Sequence, residues 1–253
     1  PVKLIGIVGD DFPKEGWELF SKYNVNTDMV TVEKGKTFSW GGKYSDDYST
    51  RDTLYTDLGV FENYTPNIPE SVETEYLYLG NIQPSLQLDV INRIKSKQRI
   101  VSDTMNLWID LDLNGLWEVI KLTNIFLLND EEAMQLTGKK DLHQIGKQLL
   151  ESGPDTVIIK KGANGSTLFS SNGIIEMPVY DQIELFDPTG AGDSFAGGLV
   201  GYISKYGEKN IEDALIHATA TASFTVSDFG VTGLTTSSEE SFESRCKYIK
   251  SKL

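Results

Sequence analysis

The chain has 253 residues, of which 39% are hydrophobic and 24% are charged, with two histidines and one cysteine. This composition is typical of a globular protein, and a single cysteine excludes an intrachain disulfide framework. The formal net charge of −14 argues against nucleic acid as a partner, because nucleic-acid sites require clustered lysine and arginine. No apolar run approaches the roughly 18 residues that span a bilayer, and the first residues do not resemble a secretory signal, so we expect a cytoplasmic protein without a membrane partner.

The N-terminal part of the chain contains two different patterns. The run VKLIGIVG at Val2–Gly9 predicts a buried strand, and KEGWELFSKY predicts the helix after it. Residues 30–65 are instead rich in Thr, Tyr, Ser and Gly with partial alternation, which predicts antiparallel strands exposed on one face. We therefore expect a small β-rich lid at residues 30–65, inserted into a larger domain formed by residues 1–29 and 66–253.

From residue 66 onward, predicted strands alternate with predicted helices. The strands are Glu75–Asn81, Arg99–Asp103, Asn124–Asn129 and the run DTVIIKKG, each next to a helical segment. Two further helices begin near Gly190 and Ile211, and a charged helix ends the chain. This alternation predicts a three-layer α/β/α domain with a mostly parallel central sheet.

The run DPTGAGDSFAGG lies at a predicted strand-to-helix turn. In open α/β sheets, ligands bind beyond the carboxyl ends of the strands, and the amides of Gly190, Ala191 and Gly192 at a helix start would favour an anion. Asp193 in this position suits a base that takes a proton from a hydroxyl as it attacks a phosphoryl group. Alternatively, Asp193 only complements the helix dipole and the glycines form a tight turn.

This run resembles the C-terminal signature of the ribokinase-like carbohydrate kinases of the phosphofructokinase-B type, and the resemblance extends from Leu4 to about Gly233. It implies transfer of the γ-phosphoryl group of ATP to a hydroxyl of a sugar or sugar-like molecule. Asp193 would then be the base, and the amides of Gly190 to Gly192 the anion hole. Two alternatives stay open: a nucleoside kinase, and a catalytically impaired nucleotide- or sugar-binding protein on the same fold.

The resemblance also implies residues that bind ATP and metal ions. NDEEA carries the Asn-x-x-Glu pattern of the family, so Asn129 would bind the nucleotide and Glu132 would hold Mg²⁺ through water. A helix cap explains the same two residues. Asp187 would contribute to a monovalent-cation site, K⁺ in some relatives. The other ATP-binding candidates lie in IIKKGANGS, in the GAGD turn and in a small-residue helix and the loop after it: Lys160, Gly162, Gly165, Thr189, Ala218, Thr219, Ala222 and Gly230. For that helix, packing through small residues is the alternative.

Candidates for binding the acceptor lie in two segments. SDTMN resembles a family pattern just past a strand, so Asp103 and Asn106 would face the acceptor. In the lid, Trp40, Lys43 and Arg51 would contact the substrate or the lid of a second subunit in a homodimer, whereas self-packing of the lid explains its aromatic residues equally well. In the family, a strand and a Gly-Gly-x-x-x-Asn stretch that binds the acceptor precede the segment similar to VKLIGIVGDD. We expect either that this first segment is missing from the chain or that this member lacks part of the acceptor site.

Overall fold

The computed structural model describes residues 1–45 and 51–253, except for the side chains of Arg51 and Ser96. Within this described part, no helix combines the length and the apolar character needed to cross a membrane. The chain divides into two compact units, of which the first is Pro1–Val72 with Asp89–Lys95 and the second is Glu73–Leu88 with Ser96–Leu253.

The described residues of the first unit form two small sheets, one complete α-helix, a short 3₁₀ helix at Gly59–Asn63 and the end of a second α-helix. Its elements are β1 (Val2–Gly9), α1 (Lys14–Lys22), β2 (Val25–Glu33), β3 (Ser39–Tyr44) and β4 (Arg51–Asp57). β1 and β2 pair in parallel, whereas β3 and β4 pair antiparallel, as the pattern of the lid predicts. The predicted start of the lid at residue 30 falls inside β2, so the first part of that segment belongs to the parallel pair.

The second unit contains most of the regular structure. Its elements in chain order are β5 (Glu73–Leu79), α2 (Pro84–Arg93, whose residues from Asp89 belong to the first unit), β6 (Ser96–Asp103), α3 (Asn106–Leu111), α4 (Leu113–Leu122), β7 (Ile125–Asn129), α5 (Asp130–Thr137), α6 (Leu142–Glu151), β8 (Thr156–Lys160), β9 (Ser166–Ser170), β10 (Gly173–Met177), α7 (Ala191–Tyr206), α8 (Ile211–Thr225), α9 (Thr232–Thr236) and α10 (Glu239–Lys250).

A six-stranded sheet organises this unit, in the order β10-β9-β8-β7-β6-β5. Strands β5 to β8 are parallel, and β9 and β10 continue the sheet antiparallel. Helices α7, α8 and α10 pack on one face, and α3 to α6 pack on the other. The central strand β7 is fully buried from Ile125 to Leu128, as expected of a parallel strand covered on both faces. The predicted three-layer α/β/α arrangement is confirmed.

Close packing of α7 on α8 explains one glycine in the body of α7. A Cβ added at Gly198 would lie 2.9 Å from the Cα of Ala218 and 2.6 Å from the Oγ1 of Thr221. At Gly197 and Gly201 an added Cβ would meet no described atom within 4 Å. The close approach of the two helices therefore requires the missing side chain at Gly198, which offsets the conformational cost of a helical glycine.

Candidate active site

Charged and polar groups gather at the carboxyl ends of the parallel strands. β6 ends at Asp103, β7 at Asn129 and β8 at Lys160. In the strand register Asp103 lies beside Leu127, and Asn129 lies beside Lys160. Because ligands bind at this edge in open α/β sheets, the fold brings these sequence-distant residues to the expected place.

Asp103 and Lys160 form a buried ion pair across this edge. The Nζ of Lys160 lies 2.7 Å from the Oδ2 of Asp103, and the two side chains are 17% and 4% exposed. The backbone amide of Thr104 donates to the Oδ1 of Asp103 at 2.9 Å. Burial is the largest influence and works against the ammonium, but the charge and hydrogen bond of Asp103, together with the charges of Glu132 and Asp193, outweigh it, so the pKa of Lys160 is raised above its ordinary value. Lys160 is therefore a fixed positive charge at neutral pH.

The first turn of α7 presents backbone donors without partners. Gly190 caps the helix with φ of 81°, a left-handed conformation that favours glycine. The amide of Ala191 donates to the carbonyl of Pro188 at 3.1 Å, so Ala191 differs from the prediction of a bare donor. Within the part of the chain that the structure describes, the amides of Gly190, Gly192 and Asp193 donate to no group. Three N–H groups at the positive end of a helix of 16 residues are suited to an anion.

Lys160 adds a full positive charge to this turn. A Cβ at Gly192 would lie 3.2 Å from the Nζ of Lys160, so the ammonium lies directly beside the backbone of the turn. The turn is held from the other side, because the hydroxyl of Thr225 at the end of α8 donates to the Oγ of Ser194 at 2.6 Å. The ammonium and the backbone N–H groups of this turn are therefore the groups from which a phosphate site would be built.

Asp193 lies in the same turn, is accessible to solvent, and makes no hydrogen bond or ion pair with the described residues. The surrounding protein still removes enough water to raise the pKa of its carboxyl, and the negative charge of Asp103 raises it further, whereas Lys160 opposes the change. The carboxylate is thus unengaged and more basic than an ordinary aspartate. Both properties suit a group that accepts a proton.

Asn129 and Glu132 form a complete capping box at the start of α5. The Oδ1 of Asn129 accepts the amide of Glu132 at 2.8 Å, and the Oε2 of Glu132 accepts the amide of Asn129 at 2.7 Å. The helix-cap explanation is therefore confirmed. Its geometry also fixes the buried Glu132 near Lys160, whose ammonium feels the negative charge of this carboxylate.

The side chains of this site would bind Mg²⁺ only together with the phosphate groups of the substrate. Among the described residues, no group of three or more His, Cys, Asp or Glu side chains could hold a metal ion. Mg²⁺ commonly binds through one or two carboxylates together with waters and substrate phosphates, so a single nearby carboxylate is compatible with it. Glu132 is the residue here that would support the ion.

The predicted glycines of the nucleotide site adopt special backbone conformations. Gly162 and Gly165, in the turn between β8 and β9, have φ of 54° and 81°, and Gly230 after α8 has φ of 60°. A Cβ at Gly165 would lie 2.0 Å from the carbonyl oxygen of Met177, so only glycine fits there. The geometry of this turn explains Gly165 without a ligand.

The remaining nucleotide candidates lie in different surroundings. The amide of Thr189 donates to the Oδ1 of Asp187 at 2.9 Å, so this oxygen of Asp187 already stabilises the turn before α7. Ala218 is fully buried and Thr219 is 8% exposed, whereas Ala222 is half-buried. Helix packing accounts for Ala218 and Thr219, as the alternative explanation proposes.

The acceptor candidates are distributed over both units. In the second unit Asp103 is engaged with Lys160, and the Nδ2 of Asn106 donates to the Oε1 of Gln135 at 3.0 Å. In the first unit Trp40 donates to the Oγ1 of Thr53 at 3.2 Å and covers Gly42, where a Cβ would lie 2.2 Å from its ring. This packing supports the explanation of the lid aromatics by self-packing.

For two other residues of the lid, the described part of the structure gives no contact that bears on acceptor binding. Lys43 is exposed, on strand β3. The side chain of Arg51 lies outside the described part of the structure. Both assignments to acceptor binding stay predictions.

One residue at this edge was missed by sequence reasoning. The hydroxyl of Tyr78 on β5 is buried and has no hydrogen-bond partner among the described residues. The alternating run EYLYLGN contains the signal of a strand, but it gives no indication of which tyrosine ends near charged groups. Only the strand register reveals the position of Tyr78.

Comparison with known proteins places this geometry in a family. A family model described as pfkB family carbohydrate kinase matches residues 1–237. The chain is 28% identical over 207 residues to a cytidine kinase of Thermococcus kodakarensis, covering 79% of this chain and 73% of the relative. It is 26% identical over 228 residues to a nucleoside kinase of Methanocaldococcus jannaschii, covering 88% of this chain and 72% of the relative.

Solved structures agree on the fold. A protein of E. coli described as a ribokinase II, in complex with ATP and Mg²⁺, superposes with a TM-score of 0.80 at 20% identity. The match covers 98% of this chain and 83% of that protein. Since the family model spans most of the sequence, the chain belongs to the pfkB family of carbohydrate kinases.

Proposed function

We propose that this chain is a kinase that transfers the γ-phosphoryl group of ATP to a hydroxyl of a nucleoside or a sugar, with Asp193 as the base. The observation that carries this proposal is the convergence at one turn of unpartnered backbone donors, the Lys160 ammonium and an unengaged carboxylate. Family membership supports the same reaction.

Different residues of the site have different roles in phosphoryl transfer. The amides of Gly190 and Gly192, together with Lys160, neutralise the charge that develops on the phosphoryl oxygens. Asp193 accepts the proton of the acceptor hydroxyl while the hydroxyl oxygen forms a bond to the γ-phosphorus. The bond between the γ-phosphorus and the bridging oxygen breaks, ADP leaves with that electron pair, and Asp193 later releases its proton to solvent. The amide of Ala191 joins the anion hole only if its bond to Pro188 opens.

Metal ions act around this core. Mg²⁺, when bound with ATP, neutralises phosphate charge, and Glu132 would hold its waters while Asn129 orients the phosphates. Asp187 retains one oxygen that accepts no hydrogen bond from the described residues, so it is the group from which a K⁺ site would be built. We place the nucleotide along the turns at Gly162, Gly165 and Gly230, beside the exposed Thr189 before α7 and the half-buried Ala222 of α8.

A nucleoside is the acceptor class that the comparisons favour. Two relatives that match about four fifths or more of this chain are a cytidine kinase and a nucleoside kinase. Asn106, with the edge of the sheet around Asp103, is the part of the second unit from which acceptor contacts would come. Trp40, Lys43, Arg51 and a homodimer through the lid stay predictions.

A substrate panel tests the proposal. The protein is incubated with ATP, Mg²⁺ and one acceptor at a time, drawn from pyrimidine and purine nucleosides, pentoses and hexose phosphates. We expect ADP formation that depends on the acceptor, with a new phosphomonoester signal in ³¹P NMR. ATP binding without turnover on any acceptor would instead favour the alternative of an impaired nucleotide-binding protein. ATP alone is the control for hydrolysis.

A further inference from the structure

The hydroxyl of Tyr78 is a buried polar group without a partner in the described part of the chain. Such groups destabilise a fold, and native proteins keep few of them. Tyr76, two residues earlier on the same strand, shows the ordinary arrangement, since its hydroxyl donates to the Oε1 of Glu208 at 3.2 Å. The difference between these two tyrosines calls for an explanation in the chemistry around Tyr78.

The sheet places Tyr78 on the face that carries the active-site charges. Tyr78 is the register partner of Val101, and Asp103 lies two residues further along the same strand, so its side chain points to the same face. Helix α7, which begins with the turn that holds Asp193, packs against β5 on this face. Burial raises the pKa of the Tyr78 phenol, and the negative charges of Asp103 and Asp193 raise it further. Tyr78 is therefore a permanent O–H donor in the neighbourhood of two carboxylates.

The two carboxylates differ in their capacity to accept this hydrogen bond. Asp103 already accepts from Lys160 with one oxygen and from the Thr104 amide with the other. Asp193 accepts from none of the described residues. An unpartnered donor thus lies near an unpartnered acceptor. Nothing in the described contacts of Asp193 restrains rotation of its side chain towards Tyr78.

We propose that Tyr78 is a positioning residue whose hydroxyl donates a hydrogen bond to the Asp193 carboxylate and orients it during phosphoryl transfer. This inference rests on the proposed function of Asp193 as the base. The bond directs one carboxylate oxygen to Tyr78 and leaves the other oxygen for the acceptor hydroxyl. It also compensates for the desolvation that otherwise favours the protonated form of Asp193.

The test compares Tyr78→Phe with Tyr76→Phe as a matched control on the same strand. For Tyr78→Phe we expect a Tm equal to or above that of the wild type, because an unsatisfied buried hydroxyl is removed, and a kcat about tenfold lower, as for the loss of one hydrogen bond to a charged group. The KM for ATP stays unchanged. For Tyr76→Phe we expect a lower Tm and a wild-type kcat.

The pH profile of kcat distinguishes a positioning role of Tyr78 from a purely structural role, which would leave the profile unchanged. A hydrogen bond to a carboxylate favours its charged form, so its loss in Tyr78→Phe moves the acidic limb of the profile to higher pH, while the limb of Tyr76→Phe stays at the wild-type position. An unchanged limb in Tyr78→Phe would overturn the inference. A raised KM for the acceptor with unchanged kcat and limb would do so as well, since Tyr78 would then contact the acceptor.

A measurement that does not depend on turnover tests the role of Tyr78 separately from the proposed kinase function. The Asp193 carboxyl is titrated by ¹³C NMR in protein saturated with a non-hydrolysable ATP analogue, with its signal assigned by its absence in Asp193→Asn. We expect a higher pKa in Tyr78→Phe than in the wild type or Tyr76→Phe. Equal values contradict the role of Tyr78 even in an active kinase. A shifted value without any turnover supports the hydrogen bond and contradicts the kinase proposal alone.

Discussion

The two ends of the parallel strands in the second unit carry contrasting charge networks. At the amino ends, Arg99 donates to Asp155 and to Glu208, each at 2.6 Å, and Glu208 also accepts from Tyr76. At the carboxyl ends, Lys160 donates to Asp103, while Asp193 and Tyr78 have no partner among the described residues. The same strands thus end in a satisfied network on one side and an incomplete one on the other.

This difference separates stability from function. A satisfied network needs no ligand and holds strands and loops together. An incomplete one destabilises the fold slightly and is retained where the missing partners come from a substrate. The contrast predicts that substitutions of the unpartnered groups at the carboxyl ends affect turnover first, whereas breaking an ion pair at either end lowers the free energy of unfolding.

Asp193→Asn is expected to have the largest effect on turnover. Loss of a general base lowers kcat by about 100- to 10,000-fold, while the amide keeps nearly the same shape and leaves ATP binding close to that of the wild type. Steady-state kinetics and calorimetric titration with ATP measure the two quantities. Retention of full activity in Asp193→Asn would refute the assignment of the base.

Lys160→Met is expected to have the largest effect on stability. It leaves Asp103 buried and without its cation, which lowers the free energy of unfolding by about 3–5 kcal/mol. Urea denaturation measures this change. The double variant Asp103→Leu with Lys160→Met is the control, since removing both charges restores much of the stability but none of the turnover. A fully active double variant would show that the ion pair has no catalytic role.

Arg99→Ala tests the satisfied network at the opposite end. Partly exposed pairs contribute less than buried ones, so we expect a loss of about 1–2 kcal/mol in the free energy of unfolding. The kcat and KM values measured well below the Tm should equal those of the wild type. A change in kcat larger than the loss of folded protein would argue that the two networks are coupled.

The smallest expected effect is the pH dependence of stability that arises from Asp193. Its pKa is raised in the folded protein, so the folded state holds this proton to higher pH than the unfolded chain does. The corresponding stabilisation is complete below the unfolded pKa and is lost as pH rises through the folded pKa. Asp193→Asn should therefore be slightly more stable than the wild type at pH 7 and equally stable at pH 3. The acidic limb of kcat/KM should lie above the ordinary carboxyl value.

Much of the fold could be predicted from the sequence because strand and helix patterns are local. The alternation of apolar strands with helices from residue 66 gives the parallel strands β5 to β8 and most of their helices. The parallel strand β2 was not predicted, because the consecutive polar residues Asn26, Thr27 and Asp28 interrupt the apolar pattern of VNTDMVTVE. The short helix α3 was also not predicted, since six residues carry too little periodicity.

The site was predictable where one continuous run carries the chemistry. The GAGD turn specifies a helix start with bare backbone, and the structure leaves donors open there. The cap at Asn129 and Glu132, the alternative to nucleotide and metal binding, was predictable because capping boxes have a fixed spacing, whereas the binding roles stay predictions. The assignment of Ala218 to the nucleotide could not be judged from sequence, because small residues serve helix packing and ligand approach equally well. Cytoplasmic location and a homodimer stay predictions.

The sequence by itself determined the fold class and the family, because both depend on short-range periodicity or on a contiguous motif. Only the tertiary structure decided that Lys160 pairs with Asp103, 57 positions away, and that the hydroxyl of Tyr78, unlike that of Tyr76, is buried without a partner among the described residues. These contacts depend on the order and register of strands in the sheet. Burial and charge at each residue arise from neighbours that are distant in the chain, and no local pattern encodes them.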